Sequence, residues 1–220
     1  MSEKQFQILE QQTVYQGFFK LETYTVKHSL YGGGWSQPLK RELFRRGNCV
    51  AVLLYDPDLD QVVLIEQFRV GAILQPERAW LLEIVAGAIE EGETAEEVAH
   101  REAWEEAGCK IEQLIKINQF YTTPGGSSEW LTLFCGKVDS RGVDGIKGLE
   151  EEGEDIRVMA VPFDEAYQLV EQGKIESGIP IVALQWLYIH RGKLRGNGVL
   201  PKETSDQKSH DFTALNARNL

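Results

Sequence analysis

At 220 residues with a formal net charge of -11, the chain has room for one sizeable core, or one core plus a small extra domain. That acidity excludes a main role in binding nucleic acid or anionic membrane, and anionic phosphates could enter only with the help of a cation or local arginines. Three cysteines, Cys49, Cys109 and Cys135, are odd in number and widely spaced, so they read as reduced thiols rather than a disulfide framework or a zinc site.

Residues 1–7 hold no apolar stretch behind a basic start, so no signal peptide is expected. Loose alternation over residues 6–30 predicts antiparallel strands. The glycine-rich residues 31–35 read as a hairpin turn, since no helix pattern follows them. Residues 39–46 resume a strand. Residues 49–55 and 61–68 are apolar strands joined by the turn Asp56-Pro57-Asp58-Leu59-Asp60. Residues 80–86 read as one buried strand. Further strands are expected over residues 114–121 and 131–138, around a Pro124-Gly125-Gly126 turn. Residues 139–155 read as a loop rich in Gly and Glu, and 156–161 as a short strand. Pro162 sits near the start of a helix whose apolar face carries Phe163, Ala166, Tyr167, Leu169 and Val170. A second helix is expected over residues 179–190. It is too short to cross a membrane and contains Gln185, so the cytoplasm is the expected location. From Arg195 onward the tail is polar and expected to be disordered. The pattern as a whole is α+β.

Residues 87–109 read G-A-I-E-E-G-E-T-A-E-E-V-A-H-R-E-A-W-E-E-A-G-C. Thr94 and Glu97 form a T-x-x-E capping box, which predicts a helix from about Ala95, and Gly108 lies where a C-terminal cap belongs. Glu105 and Glu106 follow Glu102 by three and four residues, which puts all three carboxylates on one helix face. A run of glutamates is usually a solvated face. Here the triplet stands in the last turns of the helix, where like charges repel and the macrodipole disfavours acids. A hard divalent cation with oxygen ligands would offset that cost and could drive hydrolysis of a phosphate ester or anhydride.

The segment resembles the Nudix box, G-x5-E-x7-R-E-U-x-E-E-x-G-U, with U a bulky aliphatic residue. Gly87, Glu93, Arg101, Glu102, Glu105, Glu106 and Gly108 occupy every fixed position. Ala103 and Cys109 are smaller than the usual U residues. Residues 14–193 look like the ADP-ribose pyrophosphatase branch of that family. Pro124, in T-P-G-G-S-S-E, lies about fifteen residues beyond the box, and E-E-E-G-E-D-I over residues 150–156 matches a late acidic loop.

The resemblance implies a Nudix α/β/α sandwich with a mixed sheet over residues 49–194. An antiparallel β extension over residues 1–48 precedes it, and the polar tail, 195–220, follows. In this branch the extension exchanges strands with a second copy to make a homodimer and lends residues to the partner's substrate site. Phe18 or Phe19 is then the candidate for stacking on adenine. Arg41, Glu42 and Arg46 are candidates for holding base and phosphates, with Pro124 and Glu129 beside them. Arg69 is the candidate fork for the diphosphate. Glu102, Glu106, Glu154 and the Ala86 carbonyl suit Mg2+, with Mn2+ as a possible replacement. Glu152 is the candidate general base, on a loop able to close over substrate. Arg101 orients Glu93, and Glu105 is a third ligand or an orienting group. The implied reaction is hydrolysis of ADP-ribose to AMP and ribose 5-phosphate. Two alternatives stand beside it: another nucleotide sugar such as GDP-mannose, or a non-catalytic ligand sensor, against which the retained box glutamates speak.

Overall fold

The computed structural model describes residues 4–196. An arm comes first. β1 (Phe6–Gln16), β2 (Lys20–His28) and β3 (Leu39–Arg45) form a separate antiparallel sheet in that order. The turn expected at residues 31–35 joins β2 to β3, with the Leu30 N–H donating to the Gly34 carbonyl.

The body is built on a mixed sheet. Its strands are β4 (Asn48–Asp56), β5 (Gln61–Phe68), β6 (Trp80–Glu83), β7 (Val85–Ala88), β8 (Gln113–Tyr121), β9 (Trp130–Lys137), β10 (Gly145–Lys147) and β11 (Ile156–Pro162). The order is β10-β11-β5-β4-β9-β8, with β6 paired to β5 and β7 to β4. The β4–β9 pair is parallel and the other pairs are antiparallel.

Helix α1 (Ala95–Ala107) covers one face of this sheet, and α2 (Phe163–Glu171) and α3 (Gly178–Arg195) cover the other. β4 shows why. Val50, Val52 and Leu54 pack in one core cluster with Val98, Ala99 and Ala103 of α1. Ala51, Leu53 and Tyr55 pack in a second with Phe163, Ala183 and Leu187. A strand that is apolar at successive positions needs a cover on both sides, and helices supply it. The result is the expected α/β/α sandwich.

Three expectations change. Residues 80–86 are not one buried strand. The chain breaks at Ile84 because it crosses from pairing with β5 to pairing with β4. Trp80 is 63% exposed and meets Phe68 edge-on at 5.3 Å. Residues 139–155 are more than a loop, since they hold β10 and a single 3-10 turn, Glu150–Glu152. Helix α3 runs on past His190 to Arg195. Arg191 and Arg195 both reach Asp60 Oδ2, at 2.6 and 2.8 Å, and tie the last turns to the β4–β5 turn. Of the tail expected from 195, Arg195 closes α3, and residues 197–220 lie outside the described residues.

Candidate active site

Helix α1 starts where the capping box predicts. Thr94 Oγ1 accepts from the Glu97 N–H at 3.2 Å, and Glu97 Oε2 accepts from the Thr94 N–H at 2.9 Å. At the other end Gly108 takes the left-handed conformation, φ 65°, and its N–H caps carbonyls of the last turn. The helix is thus fixed at both ends, with its acidic face turned toward β7.

Arg101 organises that face. Its Nε donates to Glu93 Oε1 at 3.1 Å, and its Nη1 donates to Glu102 Oε1 and Glu105 Oε2, both at 2.9 Å. One guanidinium therefore ties Glu93, in the loop before the helix, to two of the helix's three box carboxylates. The third, Glu106, is 2% exposed and accepts from the Ala86 N–H at 2.9 Å. Gly87 lets Glu102 lie against β7. A Cβ on Gly87 would stand 1.8 Å from Glu102 Oε1.

Burial pushes the Glu102 carboxyl up to about 7, against the pull of Arg101, with Glu105 and Glu154 adding like charge. Burial likewise pushes Glu106 up to about 8. The Ala86 N–H opposes this, while the Glu102 and Glu154 charges reinforce it and Arg69 opposes it from farther off. Carboxyls that resist ionisation in a cluster of their own kind make a place where a cation is favoured. The donor set is oxygen only, which suits a hard divalent ion. Among the described residues no three acidic, histidine or cysteine side chains already converge as a ligand set. Glu105 is engaged by Arg101, and Glu154 Oε2 accepts from the Leu149 N–H at 3.0 Å.

The candidates named from sequence fall into three groups. Glu93, Arg101, Glu102, Glu105 and Glu106 with Ala86 are together, and Glu154 is near enough for its charge to be felt at Glu102 and Glu106. Arg46 and Glu129 are also together, as an ion pair at 2.8 Å, with the Arg46 guanidinium over the Phe19 ring at 4.9 Å. Phe18 is 96% exposed and meets Phe19 edge-on. The rest stand apart within one chain. Arg41 and Glu42 lie on β3 of the arm, where Arg41 Nη1 donates to the Lys40 carbonyl. Pro124 is exposed in its turn, and Glu152 is exposed in the 3-10 turn. Arg69 is not a free cation, because its Nε donates to Glu83 Oε2 at 2.6 Å. Sequence reasoning missed Glu83. The available signal was a lone acid in the apolar run W-L-L-E-I-V.

A profile of the NUDIX domain matches residues 45–181. The chain belongs to the NUDIX family. It is 46% identical over 189 residues to an ADP-ribose pyrophosphatase of Escherichia coli strain K12, covering 86% of this chain and 90% of that protein. A GDP-mannose pyrophosphatase of Cronobacter sakazakii is 39% identical over 154 residues, 68% of this chain and 78% of its own. Among solved structures, that of an ADP compounds hydrolase superposes with a TM-score of 0.65 at 20% identity, covering 86% of this chain and 96% of the other. That likeness speaks to the fold. No helix among the described residues of this NUDIX protein is long and apolar enough to cross a membrane.

Proposed function

We propose that this NUDIX protein is a cytoplasmic, homodimeric ADP-ribose pyrophosphatase, which hydrolyses the diphosphate of ADP-ribose to AMP and ribose 5-phosphate with Mg2+. The carrying observation is the complete box running from β7 through α1, with Glu106 buried against β7 and Glu102 seated over Gly87, in a chain 46% identical to an ADP-ribose pyrophosphatase along most of its length. The GDP-mannose pyrophosphatase is the more distant relative, over a smaller share of the chain.

Glu102, Glu106, Glu154 and the Ala86 carbonyl are the residues that would hold Mg2+ or Mn2+. Such an ion supplies neutralising charge for the diphosphate and acidifies water. The protein's own groups do the rest. Arg101 holds Glu93, Glu102 and Glu105 in place, so Glu105 orients rather than reacts. Glu152 stands on the 3-10 turn two residues before Glu154, where a general base can approach with the loop. Arg69 offers a charge-assisted fork to the diphosphate. Arg46 and Glu129, beside Phe19 and Phe18, form the recognition wall for the base. Arg41 and Glu42 complete the site from the arm of the second copy, and Pro124 adds to it from the turn before β9.

The test is AMP release from ADP-ribose and Mg2+ by the parent and by Glu106→Gln. Losing even an outer partner of a metal ligand costs up to ~100-fold, so the variant should lose at least that while its circular dichroism is unchanged. Equal turnover in the two proteins would take Glu106 out of the mechanism.

A further inference from the structure

Gln67 Nε2 is the one side-chain nitrogen or oxygen among the described residues that is buried without a hydrogen-bond partner. The residue is 7% exposed. A buried donor without an acceptor is costly, and folded proteins rarely keep one without a use. Strand pairing shows what surrounds it. Ile65 lies opposite Glu83 and Gln67 opposite Leu81, and beyond them the Arg69 N–H donates to the Ala79 carbonyl. Opposed residues share a face of the sheet. Gln67 is therefore the middle rung between Arg69 and Glu83, on the face that Ile65 presents to α1. Arg69 stands four residues beyond Ile65, roughly 13 Å of strand. The bond of 2.6 Å from Arg69 Nε to Glu83 Oε2 requires both side chains to lean over the Gln67 rung.

We infer that Gln67 is a positioning residue for Arg69: its side-chain amide takes over the Glu83 carboxylate when the Arg69 guanidinium turns to the diphosphate of the substrate. This rests on the reading of Arg69 as a diphosphate ligand. In the free protein Glu83 is 14% exposed and holds Arg69. Withdrawing Arg69 alone would strand a largely buried carboxylate without its cation, which opposes binding. The unpaired Gln67 N–H is the adjacent replacement donor, and it gains an acceptor in the same step. One donor is exchanged for another, and the substrate no longer competes with Glu83 for the arginine.

Gln67→Met keeps the length of the side chain and removes the donor. Because that donor is unpaired in the free protein, the variant should melt no lower than the parent, whereas a Gln67 with a purely structural role would melt lower. Calorimetry with a methylene-bridged, non-hydrolysable ADP-ribose analogue then compares the parent, Gln67→Met, Glu83→Gln and the double variant. Gln67→Met should weaken binding roughly tenfold, the scale of one hydrogen bond to a charged group. KM should rise by the same factor with kcat within about twofold. In the Glu83→Gln background the Gln67 change should cost under about twofold, since the two residues act as one unit. An unaltered affinity for Gln67→Met in the otherwise parental protein overturns the inference. Unaltered affinity in Arg69→Ala also overturns it, by removing the diphosphate ligand it serves. A parent that turns over GDP-mannose and not ADP-ribose defeats only the substrate assignment, and the same four proteins compared on the corresponding GDP-mannose analogue then decide Gln67.

Discussion

Gly87 is the residue on which the geometry of the acidic face depends. Its α-carbon lies so close to Glu102 that an added Cβ would stand 1.8 Å from Oε1, 2.2 Å from Cδ and 2.5 Å from Cγ. The obstructed group is the far end of a side chain, so the backbone can survive while the carboxylate is driven off. Misplacing a reacting group by about 1 Å can cost on the order of 100-fold. Gly87→Ala should therefore melt close to the parent and lose roughly that factor in kcat/KM. Full activity would show that Glu102 has a second productive position. Gly87 was legible as a fixed member of the box, and the Arg101 network was legible because its members lie within a few turns of one another. The Arg69–Glu83 pair and the Gln67 rung were not. They arise from the register of β5 on β6, and register is a property of two segments at once.

At the scale of elements, the β4–β5 turn is locked by a single buried acid. Asp56, 3% exposed, accepts from the Asp58 and Leu59 N–H groups within the turn and from the Ser140 N–H and hydroxyl in the loop after β9. Burial raises the Asp56 carboxyl, but these donors outweigh it and hold the group below its ordinary value of 3.8. A depressed folded value means that ionised Asp56 stabilises the protein above the unfolded pKa. That contribution is lost as the pH falls through the folded one. Asp56→Asn should then cost about 1.5–3 kcal/mol near neutrality, the scale for hydrogen bonds to a charged group. The gap between variant and parent should narrow below about pH 4. Urea titrations of both proteins at two pH values measure it, and a gap independent of pH would show that the charge contributes nothing. This turn was legible from Asp-Pro-Asp, and most strands were legible from their apolar runs. The break at Ile84 was not, because W-L-L-E-I-V-A holds no Gly or Pro to mark a strand end. The cause of the break is a change of neighbour, from β5 to β4, that local sequence does not encode.

For the whole molecule, the arm is a sheet short of a cover. Every residue of β1 is exposed, including Phe6, Ile8, Val14 and Tyr15. The arm joins the body through one end of β3. There the Phe44 N–H donates to the Gly126 carbonyl, the Ser128 N–H to the Phe44 carbonyl, and Arg46 pairs with Glu129. A small sheet without a packed face is marginal in water. The body carries a second apolar area beside Arg69, where Val70 is 70%, Leu74 93% and Trp80 63% exposed. One apolar area on the arm and one on the body are what a two-fold exchange between copies needs, each arm lying on the other body. Two copies joined in this way would each bring a charge of -11, so added salt should screen their repulsion and leave such an assembly intact, as apolar contact would. Sedimentation equilibrium should return twice the 24.9 kDa of one chain. Ile8→Asp with Tyr15→Asp should shift it toward the single-chain mass. If the second copy also completes the site, the same double substitution should lower activity more steeply as the protein is diluted. A parent that sediments as one chain at assay concentration would return the arm to being an unexplained exposed sheet.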